Sequence, residues 1–122
     1  MNMQLPVFEN DADGSTVVSA MHRTGAAVVK NVLDDDIVDA CAAEMRPELD
    51  RRGRLQEDDF TGYRTLRISS VLGYAPTTTR MIGHPLVLAV ADGILKPHCL
   101  TYRIGSTTGI EIQPGEDDQD LH

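Results

Sequence analysis

The 122-residue sequence predicts an α+β chain in which helices come first and antiparallel strands come last. Three observations lead there: helical spacing of apolar residues behind Gly14 and again behind Asp34, a nearly all-apolar segment opened by Pro85, and alternation from Leu100 onward. The strand-rich end looks unfinished, because a sheet of three or four strands leaves open edges and an uncovered apolar face. The whole is expected to be one incomplete domain, apparently truncated. Residues 1–14 read as a flexible N-terminus, 15–97 as helices and first strands, and 98–122 as further strands.

Gly14-Ser15-Thr16 precedes Val17, Val18, Ala20 and Met21, so a serine-capped helix ending at Gly25 is expected. Ala26–Val29, continued by Val32-Leu33, reads as a buried strand. Asp34, Asp35 and Asp36 place negative charge at a helix start, and Ile37, Val38, Cys41, Ala42 and Met45 follow on one face. Pro47 should bend or divide this helix, with Glu48–Arg54 as a polar extension.

From Tyr63 to Leu72 the residues favour a strand, ended by Gly73 and Pro76. Pro85 suits a first helical turn, and Leu86 to Leu95 is apolar nearly all round, which predicts deep burial. Leu100, Tyr102 and Ile104 share one parity, and Ile110 and Ile112 alternate with Glu111 and Gln113. Two antiparallel strands are expected there. Pro114-Gly115 breaks the second, and Glu116–Asp118 reads as an exposed acidic turn before Gln119-Asp120-Leu121-His122 begins something new.

Composition excludes some functions. A formal net charge of −8 and a pI near 4.7 argue against nucleic acid and anionic membrane partners, which require a basic patch. Arg51, Arg52 and Arg54 are followed by Glu57, Asp58 and Asp59 and read as a solvated helix end. No apolar run suggests a membrane span, and the first residues lack a basic region and an apolar core, so a cytoplasmic protein is expected. Cys41 and Cys99, far apart and in apolar surroundings, read as buried free thiols. There is no phosphate loop, G-x-S-x-G elbow or H-E-x-x-H motif.

Of the four histidines, His22 reads as solvent-facing, His84 as an N-cap or packing residue ahead of Pro85, and His98 as structural beside Pro97. His122 differs because of what precedes it. The segment Ile110-Glu111-Ile112-Gln113-Pro114-Gly115-Glu116, running on to Gln119-Asp120-Leu121-His122, resembles the strand, P-G-E turn and strand that lead into the H-x-D motif of the phytanoyl-CoA dioxygenase family. Gly25–Val29 to Leu33 resembles that family's early strand, and Gly83-His84-Pro85-Leu86-Val87-Leu88-Ala89-Val90-Ala91-Asp92 its buried helix. Arg64-Thr65-Leu66-Arg67 resembles a strand of a subgroup that oxidises small metabolites. These pieces lie in the family's order over about residues 15–122.

The resemblance implies the N-terminal part of a double-stranded β-helix, or jelly roll, with residues 98–122 as strands leading to the metal motif. It implies His122 as the first Fe(II) ligand, with Gln119 and Arg67 or Arg64 as contacts to 2-oxoglutarate. Two histidines and one carboxylate on one face of Fe(II) leave three positions, two for 2-oxoglutarate and one for O2. The implied reaction hydroxylates a small organic substrate and releases succinate and CO2, with ascorbate as an optional reductant. The carboxylate ligand, the second His and the cosubstrate Arg would lie beyond His122, so the chain alone is expected to be inactive. Two alternatives stay open: a non-catalytic acidic interaction domain or incomplete gene product, and a cupin-like metal protein that does not use 2-oxoglutarate. Substrate and oligomeric state are not legible.

Overall fold

Asp13, rather than Ser15, opens the first helix in the computed structural model, which describes residues 4–53 and 57–119. Its carboxylate accepts from the Ser15 amide at 3.0 Å and from the Ser15 hydroxyl. A carboxylate displaces the expected serine cap because it takes both donors and adds negative charge where the helix dipole favours it. The helix, α1 (Gly14–Thr24), ends as expected at Gly25, whose φ of 80° lets its N–H reach the Met21 carbonyl at 2.8 Å.

The chain forms two compact units, one from Met1–Val38 with Thr79–Arg103 and one from Asp39–Thr78 with Ile104–His122. In the first unit, β1 (Val7–Phe8), which lies in the segment expected to be flexible, pairs in parallel with β2 (Val28–Val29). The longer buried strand expected here is not formed, and Val28 is 43% exposed. Asn31 explains the early stop: its backbone turns to φ 55°, and its carbonyl accepts from the Asn10 side chain at 3.0 Å.

A second helix of this unit, called α4 below, spans Pro85–Leu95 and is capped by His84, whose Nδ1 accepts from the Leu86 amide at 3.2 Å. It packs on α1 through small residues. A Cβ at Gly14 would stand 2.8 Å from that of Ala89, and one at Gly93 would stand 2.8 Å from Val18 Cγ2. The deep burial expected for α4 is not found: among the described residues it has no buried side chain, and Val87, Leu88 and Leu95 are each at least 40% exposed. Within the unit α1 covers one side, and an all-apolar helix needs cover on every side.

The boundary between units falls inside α2 (Asp35–Arg52), which runs unbroken through Pro47. Division there was expected, since proline removes the donor to the carbonyl four residues back. Ion pairs brace the turns around it, Arg46 with Asp50 at 2.8 Å and Glu48 with Arg51 and Arg52 at 2.8 and 2.6 Å. Cys41, on this helix, is buried as expected, and burial pushes its thiol pKa up. Cys99 is exposed, contrary to expectation.

The second unit is built on β3 (Thr65–Ser69) and β4 (Thr108–Ile112), antiparallel, with Leu66 opposite Glu111 and Ile68 opposite Gly109. Ser70 in the left-handed region ends β3, so Val71 and Leu72 form a 3-10 turn in place of the expected strand end. The short helix α3 (Thr78–Ile82) follows. Leu49, Leu66, Ile68, Val71 and Ala75 make the core, with Met45 and Tyr74 packed against it. The strand expected at Leu100–Ile104 is not formed; Leu100 is 99% exposed, and Tyr102 turns its hydroxyl to Asp92 at 2.6 Å. With no partner strand, alternation alone cannot hold extended backbone.

β4 presents the opposite face from the one its alternation suggests. Glu111 turns inward and pairs with Arg46 at 2.6 Å, while Ile110 and Ile112 stay 52% and 69% exposed. Gly109 permits this, since a Cβ there would lie 3.0 Å from Ile68 Cγ1 and 3.3 Å from Met45 Sδ. Ile68→Ala, at a 4%-exposed position, is expected to cost about 2–4 kcal/mol in urea unfolding. Ile112→Ala is expected to stay within about 0.5 kcal/mol. Equal losses would mean that the isoleucine face is the packed one.

Candidate functional site

The expected cosubstrate contacts Arg64, Arg67 and Gln119 fall in two segments of the second unit, and one carboxylate joins these segments. Glu116 accepts from the Tyr63 amide at 3.1 Å, the Arg64 amide at 2.6 Å and the Thr65 hydroxyl at 2.7 Å, across more than fifty residues of chain. It also accepts from the Asp117 amide at 3.2 Å. The Thr65 hydroxyl first, then the Arg64, Tyr63 and Asp117 amides, hold its carboxyl below the ordinary range against a desolvation penalty. Glu116 was expected in an exposed acidic turn. The signal for its role lay in the glycines that make room.

Gly62 has a φ of 89°, and a Cβ there would collide with the Glu116 carboxylate and lie 2.7 Å from Thr65 Oγ1. Gly115 has a φ of 83°, and a Cβ there would stand 2.6 Å from Arg64 Nη1. Both turns therefore need residues that tolerate positive φ and lack a side chain. The strap is completed by the Gln113 amide on the Arg64 carbonyl at 2.9 Å and the Glu116 amide on the Gln113 carbonyl at 3.2 Å.

The loop opposite is ordered by Asp58. Its carboxylate accepts from the Phe60 amide at 2.9 Å and the Thr61 amide at 2.6 Å, and its carbonyl from the Gly62 amide at 2.8 Å. The Thr61 backbone and side chain, with Phe60 and the Arg67 charge, hold the Asp58 carboxyl below its usual value. Tyr63 donates its hydroxyl to Asp59 at 2.9 Å, and that bond pushes its phenol pKa up.

The structure brings three of the four sequence-derived site residues into this region. Gln119 donates its amide to the Phe60 carbonyl at 2.6 Å. The Arg64 guanidinium turns to the Pro114 carbonyl at 3.3 Å. Arg67 makes only long contacts, from Nε and Nη2 to the Thr61 carbonyl at 3.4 Å, while its backbone amide donates to Gly53 at 2.8 Å. The fourth, His122, lies outside the described residues.

Two cavities flank these groups. One of about 240 Å³ is lined by Arg52, Arg67, Ile68, Ser69 and Ser70. The other, of about 280 Å³, lies against Asp59, Tyr63, Glu116 and Gln119. Both fall below the ~300 Å³ from which small-molecule sites commonly start. Among the described residues no group of three His, Cys, Asp or Glu side chains is placed to hold a metal ion, and no helix is long and apolar enough to cross a membrane.

No family model matches the chain. A curated protein, "Dioxygenase aneA" from Aspergillus aculeatus, is 23% identical over 113 residues, which cover 87% of this chain and 38% of that protein. The chain is thus a distant relative of a dioxygenase and spans well under half of its length.

Gly62→Ala is expected to destabilise by more than about 1 kcal/mol, because it adds a side chain at positive φ and dislodges Glu116. Gly73→Ala, with open space around its Cβ, is expected to be neutral or mildly stabilising. Denaturant melts of both variants check the contrast. Acid should weaken the same region. Glu116 and Asp58 have lowered folded pKa values, so their contribution is full above the ordinary carboxylate range and is lost as pH falls through the folded values.

Proposed function

We propose that this chain is part of a non-haem Fe(II)- and 2-oxoglutarate-dependent dioxygenase of the phytanoyl-CoA dioxygenase type, which hydroxylates a small organic substrate. The observation that carries the proposal is the similarity to a dioxygenase along 87% of the chain. The P-G-E turn at Pro114–Glu116 ahead of His122 supports the finer assignment. The exposed Ile110 and Ile112 on one sheet face support a larger jelly roll in which further strands would cover them.

The described residues do not by themselves fit a metal ion, as no three ligating side chains converge among them. In the proposal His122 supplies one ligand, and the others belong to polypeptide outside this sequence. Bound 2-oxoglutarate would supply the electrons that let O2 be split. For that cosubstrate Arg67 is the better-placed cation of the two expected, since its guanidinium hydrogen bonds to the Thr61 carbonyl are long, 3.4 Å, and it lines a cavity with Arg52, Ser69 and Ser70. Arg64 and Gln119 would have to release Pro114 and Phe60 to contact it.

A second reading is a non-catalytic acidic interaction domain, in keeping with the formal net charge of −8. The two are separated by assay. With Fe(II), 2-oxoglutarate and O2, the 122-residue chain is expected to form no succinate. A polypeptide extended past His122 by its own coding sequence, with Asp or Glu two positions on, is expected to form it. Lack of such a carboxylate, or of succinate from the extended protein, would overturn the dioxygenase assignment. Succinate from the 122-residue chain would overturn the claim that it is inactive alone.

A further inference from the structure

Glu116 does more than the acidic turn in which it lies requires. Its carboxylate takes three donors from the head of β3 within 3.1 Å, whereas Gln113 to the Arg64 carbonyl, Arg64 to the Pro114 carbonyl and Gln119 to the Phe60 carbonyl are single bonds between the same two segments. Two glycines, Gly62 and Gly115, are kept without side chains at this approach. Among the described residues no cation in hydrogen-bonding contact balances the charge. It is met by N–H and O–H donors, an arrangement that favours an anion and disfavours a neutral amide.

We infer that Glu116 is a positioning residue: its carboxylate fastens residues 113–119 to the head of β3 and so sets where Gln119 and Arg64 stand in the candidate site. The inference rests on the proposed function only in treating those two residues as site groups; the clasp itself can be tested without it. Charge matters as well as shape. A glutamine at 116 keeps one acceptor oxygen, toward Tyr63, but turns an N–H toward the Arg64 amide, which then faces a donor.

The groups facing Glu116 are Asp59, Asp117 and Asp118, of like sign, the Tyr63 phenol engaged with Asp59, and the Arg64 guanidinium engaged with Pro114. The Thr65 hydroxyl and the three amides lower its pKa, against a desolvation penalty that raises it. Amide chemical shifts of Tyr63 and Arg64 in the 122-residue protein are therefore expected to titrate together, with a midpoint below the ordinary carboxylate range. In Glu116→Gln this transition is expected to vanish. Hydrogen exchange at the Arg64 amide should accelerate about tenfold and the Gln119 side-chain amide should lose its protection, with Leu66 and Ile68 unchanged.

Glu116→Asp, which keeps the charge on a shorter arm, should recover part of the titration. A transition that persists in Glu116→Gln, or Gln119 protection that survives it, would overturn the inference. Should Glu116→Gln fail to fold, the wild-type titration and the aspartate variant decide: an ordinary carboxylate midpoint at Tyr63 and Arg64 overturns the clasp. Millimolar 2-oxoglutarate is separately expected to shift the Arg67 side-chain resonances of the wild type, the cation best placed for it in the proposed function. No shift in the wild type would count against the proposed function while leaving the clasp standing on its titration.

Discussion

The second unit depends on an open strand end that one acid closes. A two-stranded sheet is marginal by itself, and β3 and β4 are brought together from positions about forty residues apart. Their ladder continues past Thr65 because the Gln113 amide reaches the Arg64 carbonyl, and the chain can then turn back because Glu116 captures the Tyr63 and Arg64 amides. Those amides lie at the strand's head, where no further strand is present among the described residues to satisfy them. A side chain from the segment that follows β4 does so instead. The adjoining Asp58 turn applies the same device locally.

Much of the local structure was legible before the coordinates. The α1 stop at Gly25, the Pro85 helix with its His84 cap, and the β3 and β4 strands all follow from residues whose conformational preferences are strong and local. What was not legible involved partners distant in sequence. The inward face of β4 was read from apolar alternation, yet Glu111 sits half-buried on the packed face because Arg46, sixty-five residues away, meets it and because Gly109 leaves no side chain against Ile68 and Met45. Likewise α4 is as apolar as expected, but composition cannot say what is available to cover it.

The candidate site shows the same division. Motif order placed Gln119, Arg64 and Arg67 in one neighbourhood, and the structure gathers them in the second unit. Their engagement could not be foreseen, since each hydrogen bond ends on a backbone carbonyl, and sequence carries no label for that. Glu116 was overlooked for a related reason: an acid in a Pro-Gly turn is usually solvated. The distant similarity to a dioxygenase gives this neighbourhood a chemical context and leaves the substrate open.

Ile110 and Ile112 have a consequence for how the molecule behaves in solution. Together with Thr108 they form an uncharged, β-branched stripe on a strand whose other edge is not paired among the described residues, the kind of surface that templates association between chains. No lysine or proline interrupts it. The surplus of nineteen acidic over eleven basic residues in the chain opposes such association by like-charge repulsion. That repulsion vanishes near the pI of about 4.7. The acidic composition is thus a colloidal safeguard for an uncovered strand, and solubility should fail before folding does as the pH is lowered toward that point.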